Sequence, residues 1–236
     1  MTNTMSEKET RTLVKHANRR PVRIWTVLIY VFLLLLCCVY LIPLLWMVSV
    51  SVKTNAEVFA SPFGFPNVLQ LGNYIFAWTS GKLGVAMLNS LLVCTITLFI
   101  SLLMGSMSAF AISRMDWKLS NLTMNYIMIG MMIPVHCVLI PLFVRFSKMG
   151  LTNSLLGLIL PYVTFSIPLT VFLMSGFFKG MQRELFEAAC IDGCGIYRTF
   201  FRIAMPMARM GLFVAGLMTF VGNWNELLLA LVFISD

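Results

Sequence analysis

Charged side chains are scarce in this sequence: Asp, Glu, Lys and Arg make up 11% of its 236 residues, whereas hydrophobic residues make up 59%. Soluble domains carry about 25% charged residues. So few charges cannot cover the surface of a water-soluble protein of this length, which excludes an ordinary soluble domain. The composition therefore indicates a membrane protein.

The signatures of catalysis and cofactor binding are also lacking. No Gly-x4-Gly-Lys-Ser/Thr phosphate-binding loop occurs, because Gly81-Lys82 is followed by Leu83. Cys190 and Cys194 have no His or Cys neighbours at zinc-binding spacing, and the other four cysteines lie in apolar segments, where cysteine acts as a small hydrophobic residue. No cluster of His, Glu and Asp forms a candidate acid–base pair. We therefore predict no directly bound cofactor or metal and no enzyme activity.

The net charge of +8 does not predict nucleic-acid binding. Lys and Arg occur in short patches between apolar runs, without the basic stripe that tracks a phosphate backbone. Membrane topology explains their placement better.

Five apolar stretches are long enough to cross a bilayer as helices, which takes about 20 residues each. They cover residues 24–50, 83–112, 122–146, 154–178 and 210–234. Such runs without strict alternation predict helices, so the expected fold is an all-α, polytopic helical membrane protein. Prolines at positions 134, 141, 161 and 168 predict breaks or kinks in the third and fourth spans, which membranes tolerate where helices line a cavity.

Basic residues predict the orientation of these spans. The side that holds the N-terminal arm, residues 1–23, carries 13 Lys and Arg, and the opposite side carries four. The positive-inside rule therefore places the N-terminus in the cytoplasm. Five spans then put residue 236 outside, so we expect a C-terminal span to be missing.

The longest cytoplasmic link, about residues 179–209, carries a predicted helix from Glu184 onward that stops at Gly193. Leu185, Ala188, Ala189 and Asp192 share one face at helical spacing. Small residues there would let another protein approach the backbone closely, so the helix could insert into a partner's groove. A solvated amphipathic helix is the alternative.

Two sets of residues carry a resemblance to a known family. Glu187-Ala188-Ala189, Asp192-Gly193, Phe200, Ile203 and Pro206 resemble the EAA signature of ABC importer permeases. Further matches resemble the carbohydrate importers, and in particular the smaller maltose-type permease subunit. They are Ser51-Val52-Lys53-Thr54, Asn73-Tyr74, Asn89-Ser90, Gly150-Leu151-Thr152-Asn153-Ser154 and Trp224-Asn225-Glu226.

Departures from the family pattern are mild. Gln182 stands where proline is frequent, Phe186 where a polar residue is common, and Met205 and Met210 replace a leucine and a second proline.

The resemblance implies that residues 24–236 form the transmembrane domain of a type I ABC importer in a bacterial cell membrane, with six spans expected. ATP would bind a separate cytoplasmic ATPase dimer. A second homologous permease and an extracellular or periplasmic solute-binding protein would complete the transporter, with the translocation path between the two permeases. The resemblance assigns coupling to the ATPase to Glu187 and Asp192 as polar contacts, Ala188 and Ala189 as close-packing residues, Gly193 as the turn, and Pro206.

Asn223, Trp224, Asn225 and Glu226 lie about 24 Å along the fifth predicted helix from Met210, at 1.5 Å per residue. A charge at that depth faces either the headgroups or an aqueous path, and we assign these four residues to the translocation path. His136 is expected to be a hydrogen-bonded interior residue rather than a proton relay.

Three alternatives stay open. An ABC importer permease for a non-sugar solute would share the EAA signature. A secondary transporter should carry ionisable residues in several spans, and only His136 and Glu226 are candidates. A membrane scaffold would leave the EAA residues unexplained. The sugar itself is not readable from this chain.

Overall fold

A computed structural model describes residues 24–234, and this range consists of helices and their connections without a β-strand. The predicted all-α fold is confirmed. The N-terminal arm, residues 1–23, lies outside the described residues. The chain divides into two compact units, Met1–Gly81 and Lys82–Asp236.

The first unit begins with helix α1, Ile24–Ser51, none of whose residues is buried. Its long apolar side chains are exposed along the whole helix, as expected for a helix surrounded by lipid. Two short helices follow, α2 at Asn55–Ala60 and α3 at Gly72–Thr79.

The connection after α1 is organised by Lys53, which is 2% exposed. Its Nζ donates to the carbonyl oxygens of Ser61 at 3.0 Å, Pro62 at 3.4 Å and Gly64 at 2.5 Å. Asn73 Nδ2 donates to the carbonyl oxygens of Ser51 and Lys53, each at 3.0 Å. Lys53 and Asn73, two residues of the sugar-importer pattern, therefore donate hydrogen bonds to the backbone carbonyls of this loop. Buried polar groups need such partners.

The second unit is a bundle built on two long helices. In chain order its helices are α4 Leu83–Arg114, α5 Ser120–Met132, α6 Val135–Lys148, α7 Leu155–Lys179, α8 Arg183–Ile191, α9 Ile196–Thr199, α10 Met205–Met207, α11 Arg209–Trp224 and α12 Leu228–Phe233, with a π-helical turn, Phe200–Ala204, between α9 and α10.

Helices α4 and α7 form the centre of the bundle, and α11 packs on both. Their interface is close because Gly105 has no side chain: a Cβ there would lie 2.6 Å from Cγ2 of Thr170. Without a hydrophobic effect between helices in lipid, such small residues allow the close packing that holds helices together.

Three described helices, α1, α4 and α7, are long and apolar enough to cross a membrane, and up to five spans result if each of two bent helix pairs counts as one. The third predicted span is one of these pairs, since α5 and α6 meet at 89°. Pro134 has no N–H to continue the helix, and it disfavours helical geometry at the residue before it. Ile133 is accordingly extended, with ψ of 113°, so the predicted break is confirmed there.

The fourth predicted span is unbroken. Helix α7 runs continuously through Pro161 and Pro168, so a break in this span, one of the two outcomes predicted, is absent. Pro161 is buried, and neighbouring helices can compensate a proline inside a membrane helix.

The prediction of one continuous helix over residues 210–234 is wrong. Helix α11 ends at Trp224, and the chain resumes as α12 only at Leu228. At its other end, α11 meets the segment Ile196–Met207 at 79°. The interruption coincides with Glu226, the acidic residue of the segment.

Candidate functional site

The predicted helix in the 179–209 link is present as α8, and it ends in a tight hydrogen-bonded turn at Gly193. The N–H of Gly193 donates to the carbonyl of Cys190 at 3.0 Å, and the N–H of Cys194 donates to the carbonyl of Ala189 at 2.9 Å. This is the Schellman motif, which needs a left-handed residue. Gly193 has φ of 73°, a region that glycine adopts without steric cost. The predicted stop at Gly193 is therefore confirmed.

The four residues expected to share one partner-facing stripe of α8 do not all point outward. Ala189 is 5% exposed and contacts its own chain, whereas Ala188 and Asp192 are exposed. The close packing expected of Ala189 is therefore intramolecular in this structure. The outer face of α8, as defined here, consists of Glu184, Glu187, Ala188, Ile191 and Asp192.

The sequence analysis missed Ile191, which is 87% exposed on this outer face. Together with the exposed Ala188, Ile191 gives the outer face an apolar surface between carboxylates that another protein could contact.

The inner side of α8 is held by an aromatic cluster formed by Phe110, Phe178, Phe186 and Phe200. Phe186 packs on Phe110 with ring centroids 5.8 Å apart, and Phe110 in turn lies 5.7 Å from Phe178 and 5.4 Å from Phe200. Tilted and edge-on ring pairs at these distances are favourable beyond the area that they bury. Phe186, which departs from the family pattern, is thus the anchor of α8 on the bundle.

Arg114, the last residue of α4, contacts α8 as well. Its Cζ lies 5.0 Å from the centroid of the Phe186 ring, and its Nε donates to the carbonyl oxygen of Phe178 at 2.8 Å. In the sequence, Arg114 counted only as one of the positive charges. No local sequence pattern predicts which carbonyl groups it contacts.

Glu187, predicted as a polar coupling contact, forms an ion pair within α8. Its Oε1 accepts from Arg183 Nε at 3.0 Å, and Arg183 Nη2 also donates to Asp116 Oδ2 at 2.9 Å. All three side chains are more than half exposed. Exposed pairs contribute little to stability, so Glu187 stays available to another protein.

Pro206 lies in the turn that redirects the chain from the 179–209 link into α11. The N–H of Met205 reaches the carbonyl of Phe200 five residues back, which is the π-helical pattern. Pro206 has no N–H to give to a carbonyl of the preceding turn. The signature residues Phe200 and Pro206 thus form a wide turn, with Phe200 buried at 2% exposure and Pro206 exposed.

The residues assigned to the translocation path surround the break between α11 and α12. Glu226 accepts from the Tyr162 hydroxyl at 2.8 Å and from the N–H groups of Leu229 at 2.9 Å and Ala230 at 3.3 Å. Those two amides belong to the first turn of α12, which has no intrahelical acceptors for them. Glu226 therefore caps α12 and ties it to α7.

A cavity of about 320 Å³ lies beside this break. Asn223, Trp224 and Glu226 line it together with Asn89, Ser90 and Tyr162, among others. Asn225 is not among its lining residues, and its Nδ2 donates instead to the carbonyl of Val221 at 2.8 Å. The structure thus brings three of the four predicted residues to one cavity, and it adds Tyr162, for which the sequence carried no signal.

His136 is exposed in the first turn of α6. The expectation of an interior histidine is therefore wrong. The break at Pro134 turns α6 away from the axis of α5, so the residue does not continue a buried helix.

Comparison with known proteins gives the family. Residues 101–236 match the model of the binding-protein-dependent transport system inner membrane component. The chain belongs to this family. It is a membrane protein and a permease component of an importer, as the EAA residues predicted, and its relatives are transport permeases rather than enzymes.

Two relatives illustrate the range of the family. The permease is 35% identical to the diacetylchitobiose uptake system permease protein of Streptomyces coelicolor, over 88% of this chain and 68% of that protein. It is 34% identical to the sulfoquinovosyl glycerol transport system permease protein of Agrobacterium fabrum, over 83% of this chain and 69% of that protein.

A solved structure agrees with the fold. The permease superposes on a chain of a bacterial ABC transporter involved in the import of the acidic polysaccharide alginate, with a TM-score of 0.78, 20% identity, and coverage of 92% of this chain and 77% of that chain.

Proposed function

We propose that the permease forms half of the translocation pathway of an ATP-driven sugar importer and couples to a cytoplasmic ATPase through the outer face of α8. The observation that carries this proposal is the division of α8 into two sides. Ala189 and Phe186 fasten it to the bundle, while Ala188, Ile191 and Asp192 are left exposed. A helix anchored on one side can transmit a push received on the other.

The ATP-binding chemistry belongs to the partner in this proposal. The sequence has no phosphate-binding loop of its own, so closure of an ATPase dimer would move α8 and rock the bundle between two states as a rigid-body transition. The transporter would also contain a second homologous permease and an extracellular or periplasmic solute-binding protein. The N-terminal arm would lie in the cytoplasm, on the side of α8.

The cavity beside the α11–α12 break supports a sugar as the transported solute. Its lining includes the aromatic residues Trp224 and Tyr162 and the hydrogen-bonding residues Asn89, Asn223 and Ser90. Sugars combine apolar ring faces with hydroxyl groups, and small-molecule sites combine apolar walls with a few polar groups in about 300–1,000 Å³. Both relatives described above are named for transport of saccharide derivatives, which agrees with this class.

Docking of α8 is tested by co-expressing the permease with its partner subunits and purifying the complex. Ala188→Arg places a long side chain on the outer face, where close approach would be blocked, and should strongly reduce the amount of ATPase subunit that co-purifies. Ala56→Arg is the matched control, because Ala56 is also an exposed alanine, on α2 in the other unit. Normal recovery of the ATPase subunit with Ala188→Arg would refute docking through this face.

A further inference from the structure

We propose that Arg114 is a positioning residue for transport: it joins α8 to the ends of α4 and α7, so that movement of α8 reaches both long helices together. The inference rests on the proposed function, since it concerns how the coupling motion enters the bundle.

Arg114 contacts the end of α7 through its guanidinium. Besides the bond from Nε, the Nη2 group donates to the carbonyl oxygens of Phe178 and Met181. Phe178 lies in the last turn of α7, where its carbonyl also accepts the N–H of Met181 at 3.1 Å and where the helix dipole favours a cation. Arg114 therefore fastens the end of α4 to the end of α7.

Arg114 also contacts the connector between α7 and α8. Helix α7 ends at Lys179 and α8 begins at Arg183, so Met181 lies in a connector of three residues. Because Arg114 holds the Met181 carbonyl as well as the Phe178 carbonyl, it sets the direction in which the chain leaves α7 and enters α8.

Arg114 contacts α8 itself as well. The Cζ atom of Arg114 lies over the ring of Phe186, 5.0 Å from its centroid, and Phe186 packs on Phe110, which lies one turn before Arg114 on α4. A single half-buried side chain thus touches α7, the connector and the anchor of α8 while it belongs to α4.

The combination of two carbonyl acceptors and an aromatic ring favours arginine over lysine at position 114. A guanidinium carries a planar fork of five N–H donors and can stack on an aromatic ring with its plane, whereas the ammonium of lysine is a compact point charge. Lysine at position 114 could keep the charge and, as Lys53 does, donate to more than one carbonyl oxygen, but its compact ammonium cannot present a planar face to the Phe186 ring at the same time. Arg114→Lys therefore separates a geometric role from a merely electrostatic one.

The expected defect is uncoupling. Arg114 interacts electrostatically with Glu184 of the outer face, but Ala188, Ile191 and Asp192 keep their exposed positions, so the ATPase subunit should still bind and hydrolyse ATP. With the joint loosened, α8 would move without carrying α4 and α7 along, and fewer sugar molecules would cross for each ATP hydrolysed.

The experiment uses the complete complex in liposomes, with the sugar that the wild type transports, and measures ATP hydrolysed per sugar molecule imported together with the KM for ATP. For Arg114→Gln we expect this ratio to rise by about fivefold or more, the low end of typical coupling between sites, with the KM for ATP unchanged. Arg114→Lys should recover only part of the loss. The matched control is Lys118→Gln, which removes a positive charge from an exposed position four residues away.

A ratio within twofold of wild type for Arg114→Gln, or full recovery by Arg114→Lys, would overturn the inference. Should Arg114→Gln fail to assemble, Phe186→Leu keeps the apolar packing, removes the face on which Arg114 stacks, and must raise the same ratio. If the wild-type complex itself holds no ATPase subunit, the proposed function fails instead, so the two failures are distinguishable.

Discussion

Helices α8 and α12 are both short and both follow a much longer helix, but they are held in opposite ways. Helix α12 takes its polar support from its own segment, through the Glu226 carboxylate, and buries Leu229 and Phe233 at 1% exposure each. Helix α8 is held from outside its segment, by Arg114 and the aromatic cluster, and its carboxylates remain exposed. The acid of α12 is used within the chain, whereas the acids of α8 are available to a partner.

The largest effect is expected from removing the cap of α12. Glu226→Ala would leave the Tyr162 hydroxyl and the Leu229 amide without their acceptor, and each buried unsatisfied donor costs about 1–3 kcal/mol. We expect a loss of about 3 kcal/mol in the free energy of unfolding, measured by denaturant titration of the permease in detergent.

Asn225→Ala is the control for Glu226→Ala, because the Asn225 side chain is exposed, and it should change stability by less than about 0.5 kcal/mol. Equal stability of the two variants would show that Glu226 does not hold α12, and would weaken the contrast between the two helices.

A smaller effect is expected when α8 loses its anchor. Phe186 is half-buried in the aromatic cluster, and since truncating fully buried phenylalanine costs about 3–5 kcal/mol, we expect Phe186→Ala to cost about 2 kcal/mol in the same titration. Ile191→Ala, on the outer face, should leave stability unchanged but reduce recovery of the ATPase subunit. The reverse pattern would mean that the two sides of α8 are assigned the wrong way round.

Loss of the left-handed turn should cost about 1 kcal/mol, because Gly193→Ala puts a Cβ where L-residues are strained by about 1–2 kcal/mol. Gly195→Ala is the matched control: its Cβ also meets open space, but its φ is −67°. A thermal unfolding curve shifted downward by Gly193→Ala alone would confirm that the turn, and not the loss of a glycine, matters. Identical curves would contradict it.

The smallest effect is expected for the exposed ion pair. Asp116→Asn removes the Asp116–Arg183 contact, whose side chains are 86% and 67% exposed, and exposed pairs contribute about 0–1 kcal/mol. Its effect on the midpoint of thermal unfolding should be near the limit of detection at low salt and absent at about 1 M salt, where the Debye length falls to about 3 Å. A large effect that survives high salt would make Asp116 part of the anchor of α8.

The same contrast explains how much could be predicted from the sequence. The limits of α8 and its stop at Gly193 follow from local rules, since helix propensity and a left-handed glycine act within a few residues. The break before α12 does not, because residues 210–234 are apolar apart from a short polar group, and no local pattern predicts that Glu226 also accepts from the Tyr162 hydroxyl of α7. The role of Arg114 was unpredictable for the same reason: its partners lie 64 to 72 positions away.

The inward position of Ala189 shows a second limit. Spacing placed Ala188 and Ala189 together, but adjacent residues on a helix differ by about 100° in direction. Which of the two faces the bundle depends on where Phe186 docks, and that is a tertiary contact.

The central claim, that the outer face of α8 receives the ATPase subunit, is tested most directly by a photo-activatable residue placed at Ile191 in the assembled complex. Phe59, 86% exposed on α2 in the other unit, is the control position. We expect a cross-link from position 191 to the ATPase subunit and none from position 59. A complex that retains its ATPase subunit but gives no cross-link to it from position 191 would contradict docking on the outer face of α8.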